Sequence, residues 1–156
     1  MSQARAEGGF SHMKLEEYLS HPVVPFIGRL CIVYIYATSG YAKIFGWEGN
    51  VQYMSRFHLP LIPVLLVLAA IVEVVGSICL ITGYQARTAA FIMFGYTLIL
   101  TLLLHNYWTA PPQIAGMQET HFRKNLAIMG GLLMVSFAGP GAWSLGKRKR
   151  AIAAAG

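Results

Sequence analysis

Glu73 is the only charged residue of the apolar run LIPVLLVLAAIVEVVGSICLIT at residues 61–82, and it sits near the centre of that run. An acid in mid-bilayer costs roughly 2.5–3.5 kcal/mol on insertion scales, so such a residue faces a bundle interior and either ionises against a cation or stays protonated. At helical spacing Glu73 shares a face with Ala69, Gly76, Ser77 and Leu80, mostly small residues that let a second backbone come close. Partners for it recur elsewhere at the same spacing. Arg29, Tyr36, Gly40, Lys43 and Trp47 form one polar and aromatic stripe, and Thr97, Thr101, His105 and Trp108 form another. Arg123, Lys124 and Asn125 fall in the first turns of a further segment, where the helix dipole favours acids and these bases need another account. Lys43, Glu73, His105, Lys124 and Asn125, with Tyr36 and Trp108 as aromatic faces, are therefore the candidate ligand-binding residues; Tyr41 and Tyr107 lie near the same end. Together they have the chemistry to hydrogen-bond a small molecule and exchange protons with it. A plainer account stands beside this one. Cations near helix ends snorkel to the headgroups, Arg29 and Lys43 included, and aromatic residues line any membrane interface. Arg29 and Arg87 are read as structural charges.

These side chains need a scaffold, and composition says which kind. Of 156 residues, 56% are hydrophobic and 12% charged, which with several apolar runs near membrane length selects a polytopic membrane protein over a soluble domain. The expected fold is all-α: an up-and-down four-helix membrane bundle with a short interfacial helix after helix one. Helix one runs from Pro22 to Gly46, its prolines in a first turn where their missing donors are harmless. WEGNVQYMSRFHLP, capped by Asn50, is too short and polar to span and lies in the interface. Helix two covers 61–82 and ends at Gly83; helix three follows a short turn, from Arg87 to Asn106. NYWTAPPQIAGMQET, broken by Pro111, Pro112 and Gly116, reads as an exposed loop, and helix four runs from His121 to Ala138, capped by Glu119 or Thr120. Gly130 and Gly131 suit close packing there.

The chain divides into residues 1–13, a disordered segment or partly a cloning remnant, residues 14–146, the membrane domain, and a basic cytoplasmic tail at 147–156. A helical turn from Lys14 to Ser20 is expected on the membrane surface. The net charge of +6 owes much to Lys147, Arg148, Lys149 and Arg150, one block directly after the last apolar run. Such a block holds a terminus at the cytoplasmic lipid surface, and nothing else is basic enough to track nucleic acid. Both termini are then cytoplasmic and the two longer loops face outward. Cys31 and Cys79 lie in apolar runs without CxxC spacing and are expected to be buried free thiols; no metal site has a spaced ligand set.

The sequence resembles the DoxX family of small four-helix membrane proteins, and most closely its bacterial inner-membrane members. The resemblance is carried by GRL at Arg29, SGYAKIFGW through Lys43, GNVQYM, AAIVEVVG around Glu73, GYQAR, HNYW, FRKNLAIMGG and the closing GPGAWSL. It implies a multi-pass protein of the bacterial inner (plasma) membrane. It also implies redox or stress chemistry, since the family includes the membrane part of a quinol oxidase, proteins of quinone-linked thiosulfate oxidation, and members tied to oxidative or thiol stress. The chain has no histidine pair for haem, no CxxC and no phosphate loop, so no self-sufficient catalytic motif is visible. The expectation is thus a membrane subunit, the membrane component of an oxidoreductase complex, that binds a quinone-like lipophilic molecule in an outward-opening polar pocket and leaves electron transfer to a partner redox subunit. Two other readings stay open: a proton-coupled transporter or permeation unit working through Glu73, and a structural scaffold for partner proteins. Partners expected besides the lipid bilayer are the quinone-like ligand, the redox subunit and a second copy in a homo-oligomer.

Reporter fusions test the topology. Alkaline phosphatase fused at the C-terminus or in the Gln85 turn is expected to be inactive, and activity at either place overturns the assignment.

Overall fold

A computed structural model describes residues 15–146. The disordered or remnant segment at 1–13, Lys14 and the basic tail at 147–156 lie outside the described residues. The described chain is all-α. Residues 15–20 are helical and lead into α1 (Val23–Phe45), followed by α2 (Trp47–Ser55), α3 (Ile62–Thr82), α4 (Ala86–Leu104) and α5 (Pro112–Ala138). The four long helices run up and down, with α1 against α3, α3 against α4, α4 against α5, and α5 returning to α1. The shared core joins Val33 and Tyr36 of α1, Leu80 of α3, Ala90 and Met93 of α4, and Leu132 of α5.

Helix ends follow local chemistry. Pro22 and Pro25 open α1, and Pro63 sits in the first turn of α3, positions where a missing N–H costs nothing. The α1 helix stops at Gly46, whose N–H still bonds Ala42 O at 2.8 Å, and α2 begins at the next residue. Asn50 does not cap α2; it lies inside that helix, and its Nδ2 donates to Ala42 O at 3.0 Å and Gly46 O at 2.8 Å. It satisfies carbonyls that the end of α1 leaves open and so fixes the angle between the two helices. Gly83, at φ 73°, closes α3 and reverses the chain within three residues.

The segment expected as a loop before His121 is mostly helix. Pro112 opens α5, so the connection is confined to residues 105–111. Proline is a breaker only inside a helix; at the first position it is preorganised, and Gly116 four residues on is tolerated. Neither Glu119 nor Thr120 caps anything: Thr120 Oγ1 bonds back to Gly116 O, and Glu119 pairs with Arg123 one turn along. Three described helices, α1, α3 and α4, are long and apolar enough to cross a membrane. The longer α5 carries Glu119, His121, Arg123 and Lys124 in its first half, and its apolar part is residues 126–138.

Arg29 does not snorkel. It is 1% exposed, with Nη1 donating to Leu80 O at 2.7 Å and Nη2 to Trp143 O at 2.6 Å. A planar fork can cap the end of α3 and hold the chain after α5 at once. Gly83 makes room, since a Cβ there would meet Ser144 and lie 3.1 Å from Arg29 Nη1. Arg87 does the same for α5, donating to Ala138 O at 3.2 Å over Gly139. Cys31 is exposed on the outer face of α1 rather than buried, and Cys79 is half-buried. Of the paired glycines, only Gly131 is closely faced, by Ile32 of α1.

Arg29→Met is expected to lower stability by about 1–3 kcal/mol, because buried carbonyls lose their donor, and Arg29→Lys to recover only part, since one ammonium lacks the fork. Thermal unfolding in detergent measures both.

Candidate functional site

Gly40 sets the site. A Cβ there would lie 3.0 Å from Val74 Cγ2 and 3.4 Å from Glu73 Cβ, so α1 and α3 approach closely beside the carboxylate. One turn beyond Gly40, Lys43 turns inward instead of reaching for headgroups, and its Nζ lies 2.9 Å from both Glu73 oxygens. The side chains are 14% and 3% exposed, a buried ion pair. Lys43 also donates to Ser39 Oγ at 2.8 Å, and Ser39 donates to Glu73 Oε1 at 3.2 Å. From α4, Tyr96 completes the cluster with its hydroxyl 2.6 Å from Oε1. Glu73 thus accepts from three side chains on two helices, which offsets the desolvation that an ion pair at this depth would otherwise suffer.

The face shared by Glu73, Ala69, Gly76, Ser77 and Leu80 is the buried face of α3, as its spacing indicates. Gly76 is pressed against Met93 of α4, leaving no room for a side chain. On α4, Thr97 and Thr101 return their hydroxyls to carbonyls one turn back, which spares them as buried polar groups. Tyr36 shares a hydrogen bond with Thr97, and Asn125 of α5 donates to Thr101 Oγ1 at 3.0 Å.

Above the ion pair lies a cavity of about 500 Å³ within the half of the bundle that α2 overhangs. Its floor and walls take in Tyr36, Lys43, Glu73 and Tyr96; its upper part takes in His105, Lys124 and Asn125. The remaining lining is largely aliphatic. Leu65, Leu68, Ile99 and Leu103 line it and are also exposed on the outer surface of α3 and α4, so the cavity reaches the lipid side through the groove between these helices. A volume of this size with a few convergent polar groups in apolar walls has the form of a small-molecule site.

His105 follows the last residue of α4, with Nδ1 2.8 Å from Gln118 Oε1, and its ring stacks on His121 at 5.0 Å between centroids. Lys124 Nζ lies 3.3 Å from His121 Nδ1. His121 belongs to the polar first half of α5, outside the three apolar spans. Burial, Lys124 and His105 lower its affinity for a proton, which keeps the ring neutral and able to accept from Lys124.

The structure brings together Tyr36, Lys43, Glu73, His105, Lys124 and Asn125 of the residues singled out from sequence, and leaves out Trp108. Trp108 is 57% exposed and meets Tyr107 and Phe122 edge to face; the chain leaves helical geometry at His105, so the spacing that would aim Trp108 inward no longer applies. Tyr41 and Tyr107 are likewise outside the lining, and Arg123 points outward to Glu119. Ser39 and Tyr96 were not singled out by spacing. Ser39 lies one turn before Lys43, and Tyr96 directly precedes Thr97 in the stripe, the one signal in sequence that could have found them. Among the described residues no group of three metal-ligating side chains forms.

The DoxX family pattern matches residues 24–106, α1 through α4. The chain is 33% identical over 129 residues to inner membrane protein YphA of Escherichia coli, covering 83% of this chain and 92% of that one. It is 32% identical over 119 residues to inner membrane protein YqjF of the same organism, covering 76% and 86%. A shorter match, 36% identical over 83 residues, reaches the ER-derived vesicles protein ERV29 of Saccharomyces cerevisiae, 51% of this chain but 26% of that one. No solved structure matches.

Breaking the pair on one side only is expected to be worse than removing both charges. Glu73→Ala strands a buried ammonium and should cost about 3–5 kcal/mol, whereas Lys43→Met combined with Glu73→Gln should recover much of that loss. A double-mutant cycle in thermal unfolding gives the coupling; additive losses would mean that the two side chains do not act as a pair.

Proposed function

The chain belongs to the DoxX family of membrane proteins, and on that premise we propose that it is an integral inner-membrane subunit that binds a quinone-like lipophilic small molecule in the cavity above Glu73. The observation that carries this reading is the cavity of about 500 Å³, aliphatic in most of its wall, polar at floor and mouth, and open toward lipid between α3 and α4. A molecule dissolved in the bilayer enters such a groove without crossing water. Leu65, Leu68, Ile99 and Leu103 take the apolar body, while polar groups nearer the outer end orient the head.

A bound quinone supplies reversible acceptance of two electrons and two protons. The chain's own part is to bind and orient it, and to place exchangeable protons near it. Two separate hydroxyl links border it, Tyr36 with Thr97 near the depth of Glu73 and Thr101 with Asn125 nearer the mouth, and each holds an exchangeable proton there. In this reading electrons come from a partner redox subunit, and both termini are cytoplasmic, so that the cavity mouth faces the outer leaflet.

A second reading, proton-coupled transport, draws on one specific feature, an ion pair at mid-depth that borders a cavity open to one side. Binding separates the two. A short-chain ubiquinone is expected to bind the full chain in nanodiscs saturably, and His105→Ala and Lys124→Ala to weaken binding about tenfold each. Ala69→Phe, which projects a ring into the cavity from α3 one turn above Glu73, should abolish binding while the helical content and thermal transition persist. Equal binding by wild type and all three variants sinks the site; no binding together with pH-driven uptake in proteoliposomes supports transport.

A further inference from the structure

The charges around the cavity do not balance, and their imbalance has a location. Two lysines, Lys43 and Lys124, line it against one acid, Glu73. Lys43 spends its donors on Glu73 and Ser39, and Ser39 and Tyr96 each donate their hydroxyl to Glu73 Oε1. The floor is therefore a closed, neutral unit with no donor to spare. Among the described residues Lys124 meets no carboxylate; its one polar neighbour is His121, a neutral ring. Glu119, the nearest acid in sequence, is already held by Arg123. One positive charge without a carboxylate partner thus stands at the upper, exposed end of an aliphatic cavity, beside Asn125.

We propose that the ligand of this cavity carries an anionic oxygen on a lipophilic body, and that this oxygen is seated at Lys124 and Asn125 rather than at the Glu73 floor. The inference rests on the reading of the cavity as a lipophilic-ligand site and adds the charge and position of the head. An oxygen anion completes the charge balance of the lining, and a charge-assisted hydrogen bond is roughly twice as strong as a neutral one. The apolar body then extends down and sideways toward the groove between Leu68 and Ile99. A quinone bearing an acidic ring hydroxyl and a fatty acid share this chemistry.

The test compares matched pairs on the full chain in zwitterionic nanodiscs, corrected for partition into protein-free discs: a 2-hydroxy-3-alkyl-1,4-naphthoquinone against its 2-methoxy ether, and dodecanoate against dodecanol, at a pH where both acids are ionised. The acid of at least one pair is expected to bind about tenfold tighter than its neutral partner. A preference in the naphthoquinone pair assigns the site to a quinone acid, and a preference in the dodecanoate pair alone assigns it to a lipid-derived acid. Lys124→Gln should erase the preference and Lys124→Arg should keep it, whereas Arg123→Gln, which removes the same charge one residue away but outside the lining, should leave it intact. Equal affinities within both pairs overturn the anionic head while leaving a lipophilic site in place. A preference that survives Lys124→Gln overturns its seat. No saturable binding of any of the four molecules overturns the lipophilic-site reading itself, and this inference with it.

Discussion

The buried pair of Lys43 and Glu73 is the constraint to which the bundle conforms. An ionised carboxylate at this depth calls for a cation, and the cation that reaches it comes from α1, which Gly40 lets close on α3. The same oxygen takes the hydroxyl of Tyr96 and draws in α4. All three helices with membrane-spanning composition are therefore tied to one side chain. Rotation of any of them about its axis would break a charge-assisted bond, so the pair specifies helix order and rotation where apolar packing alone would permit several arrangements.

The two ends of the bundle handle their polar groups in opposite ways. Where α3 and α5 finish, Arg29 and Arg87 lie over the last carbonyls, and glycines at 83 and 139 bring the guanidinium groups close. Each arginine donates to backbone carbonyls, and that end is locked. At the other end the polar groups are side chains on facing helices, Thr101 with Asn125 and His105 with Gln118, separated by enough space to leave a cavity. Bonds between side chains can yield to a ligand that replaces them, whereas carbonyls at helix ends must keep their donors. The asymmetry gives the molecule one closed end and one receptive end.

Much of this was legible in the order of residues. A lone acid in an apolar run announces an interior face, and the spacing of Ala69, Gly76, Ser77 and Leu80 around it identified that face correctly, because helical periodicity is a local property. Prolines in first turns, Gly83 with its positive φ, and the membrane class of the chain are local or compositional too. The motifs around Arg29, Lys43 and Glu73 carried the family resemblance for the same reason.

What the tertiary structure decided concerns partners rather than periods. Sequence left Lys43 and Arg29 free to snorkel, since a long side chain near a helix end reaches either way; the depth of Glu73 on one neighbour and of Leu80 O on another chose inward for both. It treated Pro111, Pro112 and Gly116 as a break, whereas contact along α4 carries α5 down to Pro112 and lets Gln118 meet His105. Trp108 belongs to a helical stripe only if the helix continues past Leu104, and it does not. Tyr96 joins the acid because α4 is rotated to present it, and the rotation of a helix is set by the surfaces it packs against, which no single run of residues contains.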